Sequence, residues 1–268
     1  MAQRLSGEHP SAPAALEIVS AGPPGQFVVR IGGREQSYVD LEDPTHLAFD
    51  YVRRMGDVID AAAQPGCPLR VVHVGGAGLT LPRYVAATRP TSAQIVLEPA
   101  VGVTERVRAE LPLPRRSGIK VRAVDGRAGL PALRDDAVDL LVVDAYDNGR
   151  VPRDLLTREH LTDVARVLAT DGCYLLNLAD RAPFALTRAV VAGLREHFGA
   201  LMVSAEPATL RGRRDGNLLV VAGVVSVPVE ALRRRAVTSS SPYRVIDGGL
   251  LSDTFGGGGV LVDELPDP

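Results

Sequence analysis

Val71-Val72-His73-Val74-Gly75-Gly76-Ala77-Gly78-Leu79 joins a short, mostly apolar run to a cluster of glycines. Such a run, closed by glycine, reads as a buried β-strand, and residues 79–88 after it carry apolar side chains at helical spacing. Glycine lets the backbone turn sharply and pass close to a ligand, while the helix N-terminus offers N–H groups with no intrahelical partner. The run fits neither phosphate-binding glycine motif. Gly76-x-Gly78 would need a third glycine at Leu81, and no Gly-Lys-Ser/Thr follows. Taken alone, the stretch is equally a tight strand-to-helix turn.

Outward from it the alternation continues. Strands are expected at residues 69–74, 94–97, 120–123, 138–143, 173–178, 201–205 and 217–222, with helical periodicity at 101–111, 154–169 and 183–198. Apolar strands alternating with helices predict a mostly parallel α/β sheet covered on both faces. Upstream, 16–19, 26–31 and 35–39 read as a small antiparallel β-segment, with Gly32-Gly33 at a turn. Asp43-Pro44 reads as the start of a long linking helix, Asp as N-cap and Pro at the first helical position. The organisation expected is a disordered N-terminus (1–13), a β-segment (14–43), a linking helix (44–66), a Rossmann-like domain (67–236) and a weakly structured tail (237–268).

Thirty basic and 32 acidic side chains leave a net charge of −2, which gives no reason to expect a nucleic-acid or membrane-surface partner. No stretch approaches the ~18–20 uninterrupted apolar residues of a membrane span, and residues 1–13 lack the apolar core of a signal peptide, so a cytoplasmic protein is expected. Cys67 and Cys173 stand apart with no Cys-x-x-Cys around them, which predicts reduced thiols and no structural zinc.

In an open parallel sheet every loop that follows a strand is a candidate for ligand contact. Glu98 ends the second strand of the domain, 20 residues beyond Gly78, where a carboxylate can accept both hydroxyls of a ribose. Asp125-Gly126 follows the third strand; its carboxylate can hold an adenine amino group or simply form a turn. Asp144 closes the fourth strand and opens the loop Ala145-Tyr146-Asp147-Asn148-Gly149. A carboxylate there can orient a cationic substrate or take a proton from an attacking amine.

Glycine loop, ribose acid, Asp-Gly and an Asp-rich loop after strand four, in this order behind a small β-segment, resemble the spermidine synthase (aminopropyltransferase) family over roughly residues 16–223. The resemblance implies the class I S-adenosylmethionine methyltransferase fold, a seven-stranded sheet with one antiparallel strand. It implies decarboxylated S-adenosylmethionine, or S-adenosylmethionine, bound by Gly75, Gly76, Gly78, Glu98, Asp125 and Gly126, with no metal. Asp144 matches the family's catalytic base and amine anchor and Asp147 its second loop acid, while Gln36, Asp50, Tyr51 and Tyr146 are expected around a small-molecule amine. A homodimer or larger homo-oligomer is implied too.

The chain departs from the family pattern at several positions. Gly78 stands where the family has an Asp that helps hold the aminopropyl ammonium, and Leu47-Ala48-Phe49 replaces a Tyr-His/Gln-Glu cluster. Asn177 or Asp180 takes the place of a Glu/Gln near the end of strand five, and the aromatic segment before the last strand has become 211–217, rich in arginine. Two other readings follow: a methyltransferase using S-adenosylmethionine itself, since the missing Asp removes a repulsion against its carboxylate, and a non-catalytic nucleoside-binding relative.

Overall fold

The computed structural model describes residues 15–264; the expected disordered N-terminus lies outside them. Strands β1 (Leu16–Ser20), β2 (Gln26–Ile31) and β3 (Arg34–Asp40) form a three-stranded antiparallel sheet. Its inner residues Val29 and Val39 pack with Val107 and Leu111.

The linking helix α1 runs over Asp50–Ala61 and starts later than the expected residue 44. The competing structure is a pair of side-chain turns. Asp40 Oδ1 accepts the N–H groups of Glu42 and Asp43 at 3.1 and 2.9 Å, and Asp43 in turn accepts Thr45 N–H at 3.0 Å. Backbone donors satisfied this way have no need of a helix.

Then follow β4 (Arg70–Val74), α2 (Thr80–Thr88), β5 (Ala93–Leu97), α3 (Val101–Glu110), β6 (Ile119–Arg122), the single turn α4 (Gly126–Gly129) and β7 (Val138–Val143). The second half comprises α5 (Arg158–Val167), β8 (Leu168–Asp180), α6 (Ala185–Leu194), β9 (Ala200–Ala205), α7 (Pro207–Leu210) and β10 (Gly216–Gly223). Helix α8 (Val229–Thr238), β11 (Arg244–Asp247) and α9 (Gly248–Phe255) complete it.

The main sheet has the order β11-β9-β10-β8-β7-β4-β5-β6, eight strands where seven were expected. Strands β4 to β8 are mutually parallel, β10 is antiparallel to both β8 and β9, and β11 is antiparallel to β9. The extra strand, β11, comes from the tail expected to be weakly structured, and corrects the expected strand number. Ile246, Leu251 and Phe255 are all buried in the core, so apolar anchoring overrides the Ser- and Gly-rich flanks that hide the pattern.

Alternation along the strands builds two cores. Val72, Leu141, Leu176 and Val220 point to the face covered by α5, α6 and α9, whereas Val71, Leu140, Leu175 and Leu219 meet α1, α2 and α8. At about 1.5–3 kcal/mol for each large apolar side chain removed from water, these two layers are what hold the strand ends in register. Among the described residues no helix is long and apolar enough to cross a membrane.

Arg89, 1 % exposed, closes the C-terminal end of α1. Its guanidinium donates to the carbonyls of Ile59, Asp60, Ala63, Gln64 and Cys67 at 2.9–3.1 Å, satisfying acceptors that the helix end cannot. Beyond α9 the chain returns to the first turn of α5. Arg158 N–H donates to Leu261 O at 2.8 Å, Asp263 N–H to Glu159 at 2.9 Å, and Asp263 pairs with Arg127.

Candidate functional site

The loops leaving β4, β5, β6 and β7 converge beyond the carboxyl ends of the parallel strands, as open α/β sheets arrange their ligand crevices. Two adjoining cavities lie there. The larger, about 620 Å³, is lined by the glycine loop, Glu98, Asp125, Gly126, Asp147 and Arg34; its size falls within the roughly 300–1,000 Å³ of small-molecule sites. The smaller, about 60 Å³, lies between β3, the start of α1 and the ends of β4 and β7. Among the described residues Asp144 is the one charged residue that lines both, joined by Gln36 and Tyr146.

Asp144 is placed by the sheet itself, since its N–H donates to Val74 O at 3.0 Å. Gly75 makes that approach possible. Its φ of +88° is left-handed, and a Cβ there would collide with the backbone carbonyl of Asp144. Asp144 Oδ1 accepts Asn177 Nδ2–H at 2.9 Å, and Asn177 Oδ1 accepts Asn217 Nδ2–H at 3.0 Å. Tyr146 O–H donates to the Asn177 carbonyl at 3.2 Å. Asp180, the other residue read at the Asn177 place, instead accepts Thr187 N–H and O–H at 2.9 and 2.8 Å at the start of α6.

Removal from water raises the Asp144 pKa above the ordinary carboxylate value, opposed in part by the Asn177 hydrogen bond. Burial, with Asp144 close by, also pushes the Tyr51 and Tyr146 phenols up, so both stay neutral donors at physiological pH. His73 lies in the wall of the smaller cavity with Nε2 2.9 Å from Gln94 Oε1, and burial brings its pKa down to about 4. It is a neutral structural ring.

The expected donor-binding residues divide. Gly75, Gly76, Glu98, Asp125 and Gly126 line the larger cavity together. Glu98 also braces the loop. Its Oε2 accepts Gly76 and Ala77 N–H at 2.9 and 3.4 Å and its Oε1 accepts Ala100 N–H at 2.9 Å, which by a count of about four acceptor positions on a carboxylate leaves roughly one. Asp125 caps α4 through Oδ1, accepting Ala128 N–H at 2.7 Å, which is the turn-forming reading, and the same residue lines the larger cavity.

Gly78 is a correction. It is buried away from both cavities, its N–H donating to Ser37 Oγ at 3.0 Å. A Cβ there would sit 2.7 Å from Ser37 Cβ and 2.9 Å from Val39 Cγ2. Strand β3 fills the space, so this position does not sense a donor's carboxylate.

Of the expected substrate residues, Gln36, Tyr51 and Tyr146 line the smaller cavity, but Asp50 does not. It is exposed on the first turn of α1 and pairs with Arg53. Asp147 shares the larger cavity with Asp144 but does not reach the smaller one. It occupies an exposed turn, with Asn148 Nδ2–H donating to its Oδ1 at 3.0 Å, and lines only the larger cavity. Sequence reasoning missed Tyr38, and met Phe49 and Asn217 only as departures from the family pattern, not as site residues. The chain has only six Tyr and five Phe, and Tyr38, Phe49, Tyr51 and Tyr146 all line this one small space; that scarcity was the available signal.

No protein-family model matches the chain, and no curated protein sequence matches it. Solved structures do. A probable spermidine synthase from Corynebacterium glutamicum superposes with a TM-score of 0.87 at 24% identity, covering 98% of each chain. Spermidine synthase from Thermotoga maritima gives 0.58 at 15% identity, over 94% of this chain and 84% of that one. Human methyltransferase-like protein 13 in complex with SAH gives 0.54 at 21% identity, over 75% and 96%. The chain therefore has the Rossmann-like fold common to spermidine synthases and methyltransferases, of the spermidine synthase-like form that carries an N-terminal antiparallel sheet.

Proposed function

We propose that the protein is a transferase that moves the aminopropyl group of decarboxylated S-adenosylmethionine to a small amine. The observation that carries this reading is the position of Asp144, the single charged group shared by a nucleoside-sized cavity and a small aromatic one. The adenosyl part occupies the larger cavity, with Glu98 at the ribose and Asp125 at the adenine, and the amine occupies the smaller.

The amine nitrogen uses its lone pair to form an N–C bond to the methylene beside the sulfonium. The C–S bond breaks and its electron pair passes to sulfur, leaving neutral methylthioadenosine. The amine, bound as an ammonium, gives one proton to Asp144 before attack and so frees that lone pair; the proton then passes to water and the product leaves as an ammonium. Sulfonium is already a good leaving group, so holding the amine in line and accepting its proton are the protein's main tasks. Asn177 fixes the carboxylate orientation.

The test is methylthioadenosine release from the decarboxylated donor with an amine screen. Asp144→Asn is expected to lower the rate by about 10²–10⁴-fold, the span of general acid–base contributions; equal rates in both proteins would overturn the assignment.

A second reading, methyl transfer from S-adenosylmethionine, draws support from Arg34, the one cation among the described residues that line the larger cavity. Paired titration with the two donors separates them. Preference for the carboxylated donor that vanishes in Arg34→Ala favours methyl transfer.

A further inference from the structure

We infer that the acceptor is a short monoamine, a single ammonium on an alkyl chain, and that diamines are discriminated against. This rests on the reading of Asp144 as the amine anchor. Among the described residues the smaller cavity offers one carboxylate, Asp144, and otherwise neutral walls: Tyr38, Phe49, Tyr51 and Tyr146, with aliphatic Val52 and Leu81. One ammonium pairs with Asp144, and the aromatic side chains favour a cation and its apolar stem together.

Among the described residues, a second ammonium at the far end of the molecule finds no charged partner. Asp50 is outside the cavity and already paired with Arg53. Asp40, behind Tyr38, is committed on both oxygens: Oδ1 accepts Glu42 and Asp43 N–H, and Oδ2 meets Gln26 Nε2 at 2.9 Å and His46 Nδ1 at 3.1 Å. An unpaired buried charge is strongly disfavoured. The cavity, about 60 Å³, admits only a short chain, so between a butyl monoamine and the diamine of the same length charge rather than size decides.

Calorimetric titration of the full chain with n-butylamine and with 1,4-diaminobutane at pH 8 tests this, methylthioadenosine being present at saturation to cover the acids of the larger cavity. Butylamine is expected to bind at least tenfold more tightly than the diamine, and Asp144→Asn to lose it. Ala48→Glu, which adds a carboxylate to the cavity wall, is expected to improve diamine binding at least tenfold. Equal or tighter diamine binding by the wild type overturns the inference, as does the binding of neither amine. Failure of the transfer reading looks different. Butylamine would still bind more tightly than the diamine, yet the decarboxylated donor would release no methylthioadenosine with it.

Discussion

Asp144 sets a conflict between stability and chemistry at a single side chain. Its folded pKa is raised above 3.8 by burial, so between that value and the raised one the folded chain holds a proton that the unfolded chain has released. Stability from this group is therefore fully present below pH 3.8 and is lost as the pH rises through the folded value. Activity runs the other way, because only the ionised carboxylate accepts a proton: kcat/KM is expected to rise with pH through a value above the ordinary carboxylate range. Asp144→Asn should accordingly melt at or above the wild-type temperature near pH 8, with the difference closing towards pH 4. A variant that melts lower at pH 8 than at pH 4, relative to wild type, would show that the Asn177 contact outweighs the burial. Asp144 was legible because it ends an apolar run. Its support was not, since Asn177 and Asn217 meet only through the β8–β10 register, in which Leu219 lies opposite Asn177 and Asn217 opposite Ala179. Nothing local in either segment records that pairing.

At the scale of elements, β3 and the glycine loop are one packed unit. Gly78→Asp, which copies the resembled family's residue, is expected to push β3 away rather than supply an ammonium anchor. Overpacking of this kind costs about 1–3 kcal/mol, readable as a lower urea midpoint, and Ser37→Gly should recover part of it. Arg89→Met leaves the carbonyl acceptors at the end of α1 without a donor, and an effect on the order of 3 kcal/mol in urea unfolding is expected from several buried acceptors losing their partner. The strands of the Rossmann-like half were readable to within a residue or two at most ends, because each is a short apolar run bounded by glycine, proline or charge. The start of α1 was not, because Asp43-Pro44 carries the same residues for a turn as for a helix cap, and Asp40, three residues upstream, decides between them. Strand β11 and α9 were hidden because four and eight residues are too few to show a period.

Across the whole molecule, the run after α9 is tied to the first turn of α5 and to Arg127, the neighbour of cavity-lining Gly126. Deleting residues 256–264 removes the acceptor of the Arg158 amide and the partner of Arg127. Hydrogen exchange at the first turn of α5 is expected to accelerate towards that of an exposed amide while β7 and β8 stay protected; unchanged protection at Arg158 would show that the run is only laid over the surface. The eight-stranded sheet meets solvent along two borders, β6 and β11, each only four residues long. Exposed Lys120 and Arg122 lie on one, and exposed Arg244 on the other. A neighbouring chain seeking to extend the sheet finds too few free backbone groups, and like charge repels a copy approaching in register. The last strand thus guards against polymerisation: without it, the six-residue apolar β9 becomes the border, and chains gain a template on which to stack.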